Sequence, residues 1–173
     1  MSDPLKTLLA GQFNAALSTL NLCIERCPEA AWNAPVANLK FCQVALHTLI
    51  FADLYLGRDD ELAFRRQPFH LAHADFFRDY EELEDRPQQL LYDRPTIQLY
   101  VRHCRSKLAE VIAAETAESL AAPCGLPRRT FSRAELYVYN TRHIQHHAAQ
   151  LSLRLRLDFG VDIPWVSLGW REA

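Results

Sequence analysis

Glycine is scarce in this chain, at 5 of 173 residues. That leaves little material for a glycine-rich phosphate loop or for a series of tight turns. No run of eighteen apolar residues occurs, so a membrane-spanning helix is not expected. Met1 to Lys6 is not followed by a long apolar stretch with a cleavage site, so no secretory signal is read. A surplus of positive charge is missing as well. Lys plus Arg total 19 and Asp plus Glu total 21, a formal charge of -2 that gives no reason to favour a nucleic-acid partner. The five cysteines, Cys23, Cys27, Cys42, Cys104 and Cys124, are odd in number and scattered. They do not form a recognisable disulfide framework, and a reducing, cytoplasmic setting is expected. Cys23 and Cys27 share a helix face and read as a packed pair of small hydrophobes. No Ser-His-Asp pattern and no His-Glu-x-x-His motif points to a familiar hydrolase.

What is present is helical. Hydrophobic residues make up 49% and charged residues 23%, the balance of an ordinary folded protein. The length suits one core, so residues 1–173 are read as a single helical domain. Asp3-Pro4 is a helix start, and Leu5, Leu8, Leu9, Phe13, Leu17, Leu20 and Ile24 follow at helical spacing up to Pro28. A second helix is expected from about Val36, with Asn33 as cap and Pro35 in the first turn, to Tyr55 or Leu56 before Gly57. Leu62 to Arg66 reads as a turn or strand-like piece. Phe69 to Leu83 reads as a connecting helix, with acidic Asp79, Glu81, Glu82, Glu84 and Asp85 in a solvated face or loop. Asp93-Arg94-Pro95 opens another long helix, expected to reach Ala121. Ser132 and Glu135 form a capping box for the last helix, which should run to Leu155 or Leu157. The C-terminal Ile163-Pro164-Trp165 and Leu168-Gly169-Trp170 segments read as packed coil. Four long helices in a small chain predict an all-α fold, a four-helix bundle with an additional connecting helical segment.

The histidines carry the chemical signal. His143 and His147 are four apart and leave one helix face together, one turn apart. Neutral imidazoles suit a borderline transition metal, and two at this spacing can share one ion. His47 sits in an apolar stripe on a separate helix and supplies a third ligand once the bundle is assembled. Zn is favoured, while Ni, Fe and Mn also suit the donors. His146 points about 100° away from His147 on an ideal helix and is read as a surface or outer hydrogen-bonding group. Gln43 lies one turn before His47, and Tyr139 and Asn140 lie about one turn before His143. These three are the candidate pocket-lining residues. Asp53 is off the face of His47 and is given a surface role. His70 and His73 are read as packing among phenylalanines, and His103 as making surface or interhelical polar contacts. Arg142 and Arg154 are read as surface ion-pair formers.

The pattern His143-x-x-His146-His147-x-x-Gln150-Leu151, with one His in the second helix, resembles the DinB/YfiT-like metalloenzyme superfamily. The resemblance runs from the first helix through the last. It implies a DinB-like four-helix bundle, one divalent transition metal per chain on His47, His143 and His147, and a homodimer. Related proteins include thiol-dependent transferases and an isomerase. The resemblance therefore implies a metal-dependent enzyme that transfers a low-molecular-weight thiol to an electrophilic small organic substrate, with no protein cysteine as nucleophile. A metal-dependent hydrolase and a non-enzymatic, stress-associated metal-binding protein are the alternatives. No nucleic-acid or membrane partner is expected.

Overall fold

The structure is a computed structural model, and it describes residues 3–57, 61–77, 89–126 and 129–172. Helix α1 spans Pro4–Arg26. Asp3 caps it, its Oδ1 accepting from the Leu5 amide at 2.9 Å, and Pro4 fills a first-turn position that needs no N–H. Short α2, Glu29–Trp32, follows.

Helix α3 then starts later than the sequence spacing predicts. It spans Phe41–Leu56, because Pro35–Val36 (β1) and Leu39–Lys40 (β2) pair as a small antiparallel hairpin first. Asn33 does not cap it. Its Oδ1 accepts instead from the Cys42 thiol at 3.3 Å. The Lys40 amide is satisfied by Gln43 Oε1 at 2.9 Å.

The connecting region also differs from expectation. Residues Glu61–Arg65 form α4, a helical turn rather than a strand-like piece. Helix α5 covers Pro68–Ala72 and breaks at His73, and a 3₁₀ turn follows at Ala74–Phe77. Tyr80, Leu83 and the five acidic residues between 79 and 85 lie outside the described residues.

Helix α6 spans Arg94–Ala114, capped by Asp93 Oδ1 on the Thr96 amide at 2.8 Å. It stops at Glu115 instead of running to Ala121, because Thr116 and Ser119 cap each other and open a separate α7, Ala117–Ala121. Helix α8, Arg133–Phe159, has the expected Ser132–Glu135 box. It ends at Gly160, whose φ of 66° is the left-handed conformation glycine adopts without strain.

Helices α1 and α3 each pack against both α6 and α8. That is a four-helix bundle with α1 and α3 on opposite corners, and the smaller helices lie outside it. The core is continuous through Phe13 and Leu17 of α1, Leu46 and Leu49 of α3, Leu108 of α6, and Ile144 and Leu151 of α8. Each such buried side chain contributes roughly 1.5–3 kcal/mol of apolar burial. Among the described residues, no helix is long and apolar enough to cross a membrane.

Candidate metal centre

The seam between α3 and α8 brings His47, His143 and His147 together. The i, i+4 spacing places His143 and His147 one turn apart, with ring centroids 4.7 Å from each other. His47 reaches them across the seam, its ring 4.9 Å from His147 and 5.6 Å from His143. One donor atom from each side chain lies within 4.8 Å of the other two. All three are half-buried.

Aromatic side chains form one wall. Phe51, one turn beyond His47, lies 4.8 Å from it and 5.6 Å from His143. Tyr55 comes next, 6.1 Å from His143 and 5.4 Å from Tyr139. Tyr139 in turn contacts Phe131 at 5.4 Å, and Arg129 lies 5.1 Å over the Tyr139 ring while donating to its hydroxyl at 3.3 Å.

This environment keeps the imidazoles of His143 and His147 neutral. Burial pushes the His143 pKa down to about 3, and the neighbouring His147, His47 and His146 oppose its charge further. Burial also lowers His147, to about 4, against an upward pull from its hydrogen bond to Gln150. A neutral imidazole keeps a lone pair on one nitrogen, which is the donor a transition metal takes. Two buried polar atoms of α8, His143 Nδ1 and Asn140 Oδ1, have no hydrogen-bond partner among the described residues. An orphaned ring nitrogen in a three-imidazole cluster is a fit to a divalent ion.

The other sequence candidates are more structural. Gln43 is buried, and its amide nitrogen donates to the Leu90 carbonyl at 3.0 Å while its oxygen serves the start of α3. Asn140 is fully buried, and its amide ties α8 to the Ala52 carbonyl of α3 at 2.9 Å. Tyr139 stands in the aromatic wall, and His146 is exposed beside the triad. Arg154 forms the expected surface pair, with Asp158 at 2.6 Å. Cys23 and Cys27 are buried, and burial pushes both thiols up to about 12, which makes them poor nucleophiles.

A second cluster was not legible as such. Asp53 is fully buried, not at the surface. Its Oδ2 accepts from His70 Nε2 at 2.8 Å and from the Tyr100 hydroxyl at 2.9 Å. Its Oδ1 meets the Lys107 ammonium, and His103 Nε2 lies 3.5 Å away. The missed signals are an acidic residue in the otherwise apolar run Leu49–Leu56, and Tyr100, His103 and Lys107 at three- and four-residue steps on α6. Burial pushes the Asp53 carboxyl up, but His103, His70 and Lys107 outweigh it and hold the group well below the usual carboxylate range. Asp53, His70 and His103 also have metal-ligand proximity. The electrostatics of the two clusters differ, however. A divalent ion at Asp53 would join an ammonium already there and place two cations on one buried carboxylate.

The fold and the histidine geometry agree with a family comparison. The model of the DinB superfamily matches residues 12–151, and the chain belongs to that superfamily. No curated protein and no solved structure matches the chain significantly.

Proposed function

We propose that the chain is a metal-dependent enzyme, with His47, His143 and His147 holding one divalent transition metal, Zn favoured over Ni, Fe or Mn. The observation that carries this reading is the convergence of three imidazoles from α3 and α8 on one point, two of them held neutral by burial. Superfamily membership supports it. A divalent ion on three protein nitrogens keeps a position for an exogenous ligand, lowers the pKa of a thiol or a water there, and polarises an electrophile. We further propose that the ligand is a low-molecular-weight thiol, transferred to an electrophilic small organic substrate. The chain's own part is to bind and orient. Burial keeps His143 and His147 unprotonated, and Phe51 and Tyr55 exclude water from one side of the triad. Tyr139 and Arg129 end the same wall with a hydroxyl and a guanidinium available for polar recognition. The buried Cys23 and Cys27 thiols, raised to about 12, are unsuited to attack, so the sulfur is supplied from outside.

The test combines metal analysis with a turnover screen. The native protein should carry one ion per chain, and His47→Ala or His147→Ala should lose most of it while His103→Ala keeps it. Metal-replete protein is then assayed with diverse small thiols and electrophilic acceptors, the His147→Ala variant serving as control. Product that requires both metal and thiol supports the transferase. Hydrolysis without a thiol would move the assignment to a hydrolase, and tight metal binding without turnover to a binding or sensing protein. Unchanged metal content in both ligand variants would overturn the centre itself. The same reading carries a cytoplasmic homodimer, which solution mass across a concentration series checks.

A further inference from the structure

The last-helix pattern contains two residues that the triad does not use, His146 and Gln150. They stand four apart, and His147 and Gln150 three apart, so all three side chains meet on one stretch of α8. Gln150 Oε1 lies 2.9 Å from His147 Nδ1, and Gln150 Nε2 lies 3.1 Å from His146 Nε2. An amide oxygen accepts only, so the proton in the first contact sits on His147 Nδ1. An amide nitrogen donates only, so His146 Nε2 accepts in the second. With the amide oxygen toward His147 and the amide nitrogen toward His146, one side chain satisfies both rings at once. A neutral imidazole protonated at Nδ1 has its lone pair at Nε2, across the ring from Gln150.

We infer that Gln150 is a positioning residue for the metal centre. It sets the Nδ1–H tautomer and the ring direction of His147, so that Nε2 is the atom offered to a divalent transition metal. His146 anchors the amide that does this. The inference rests on the metal-centre reading and deepens it. Without Gln150, the Nδ1 edge of His147 meets solvent, and neither tautomer nor ring orientation is selected. His143 differs, because its Nδ1 is buried with no partner among the described residues and its ring is held against Phe51 and Tyr55.

The decisive measurement is imidazole nitrogen NMR on the metal-free native protein, followed by Zn titration. His147 should appear as the Nδ1–H tautomer. Gln150→Leu should abolish that preference and weaken Zn binding by roughly 10–100-fold with an unchanged helical CD spectrum. Gln150→Glu, which still accepts from Nδ1–H, should restore both. An Nε2–H tautomer in the native protein overturns the inference, as does Zn affinity that Gln150→Leu leaves unchanged or that Gln150→Glu loses equally. If the tautomer responds as expected but the native protein takes up no Zn, the metal-centre reading fails and the tautomer assignment stands.

Discussion

Burial in the α3–α8 seam makes protonation of His143 and His147 a folding event. Their ordinary value is 6.5, and the folded values fall to about 3 and about 4. The unfolded chain therefore binds protons that the folded chain refuses, and stability must fall as pH falls. The sign follows from the depressed folded values. The contribution is full above pH 6.5 and is lost through about 4 for His147 and about 3 for His143. Both rings are partly solvated, which tempers the size of the effect but not its direction. In a descending pH series, the urea midpoint of metal-free protein should drop below that upper bound. The His143→Ala, His147→Ala double variant should show a flatter profile. An identical profile would mean that the two rings are solvated well enough to titrate normally. The His143–His147 pair was readable because it is periodic: two histidines four apart on a strongly capped helix fix their own geometry, whereas His47 was placed beside them only through the expected bundle and the DinB-like resemblance. Asp53 was not readable, because its partners come from α5 and α6, and only the packed bundle shows that a lone carboxylate is paid for by Lys107.

Among the elements, the Asp53 cluster is a clamp. It ties α3 to α6 through Tyr100 and Lys107, and to α5 through His70. Lys107 completes it by donating to Gln67 Oε1 at 2.8 Å and to the Asp53 carbonyl at 3.0 Å. Asp53→Asn removes the charge and leaves an ammonium only 15% exposed with no counter-charge among the described residues of the cluster. Breaking such a pair from one side costs about 3–5 kcal/mol. Denaturant unfolding should report a loss of that order, with hydrogen exchange rising first in α5. His103→Ala, at the 3.5 Å edge of the cluster, should cost much less. The same contrast between local and distant causes explains which elements the sequence foretold. The starts of α1, α6 and α8 are set by Asp3, Asp93 and Ser132 hydrogen-bonding within a few residues, and all were legible. The start of α3 is set by a hairpin and by the Phe41 amide reaching the Ala34 carbonyl at 3.0 Å, so helical spacing alone overran it. The Thr116–Ser119 box is as local as the Ser132 box, but it lies inside a run with good helix periodicity, which masks the break.

At the scale of the whole molecule, cations from one element close the carbonyl ends of another. Arg94 of α6 donates to the Ile24, Glu25 and Cys27 carbonyls at the end of α1. Arg133 of α8 reaches the Tyr55, Leu56 and Gly57 carbonyls at the end of α3, and Lys6 of α1 reaches Ala113 and Glu115 at the end of α6. These contacts satisfy groups a helix cannot satisfy itself and fix how the helices meet. The C-terminal segment fastens a different corner. Val166 packs with Ala15 and Leu22, and Trp170 lies under Arg105 at 4.2 Å. Ser18 and the Arg171 backbone exchange hydrogen bonds at 3.0 and 3.1 Å. The Gly169 amide bonds the Gly11 carbonyl at 3.0 Å, and Leu168 Cδ1 stands 2.6 Å from where a Cβ on Gly11 would be. The segment therefore covers α1 and touches α6, whereas the triad lies in the α3–α8 seam. Deleting residues 165–173 uncovers Ala15 and Leu22 and should lower unfolding stability by about 2–4 kcal/mol, the scale of one or two apolar side chains. Because the described residues of this segment fasten to α1 and α6, Zn uptake per folded chain should stay at the native level. Calorimetric titration of the truncated protein below its melting range measures both quantities. A loss of Zn affinity matching the loss of stability would show that the α1–α6 corner and the α3–α8 seam open as one unit, and an unchanged affinity would place the metal centre on a part of the bundle that stays assembled without the C-terminal segment.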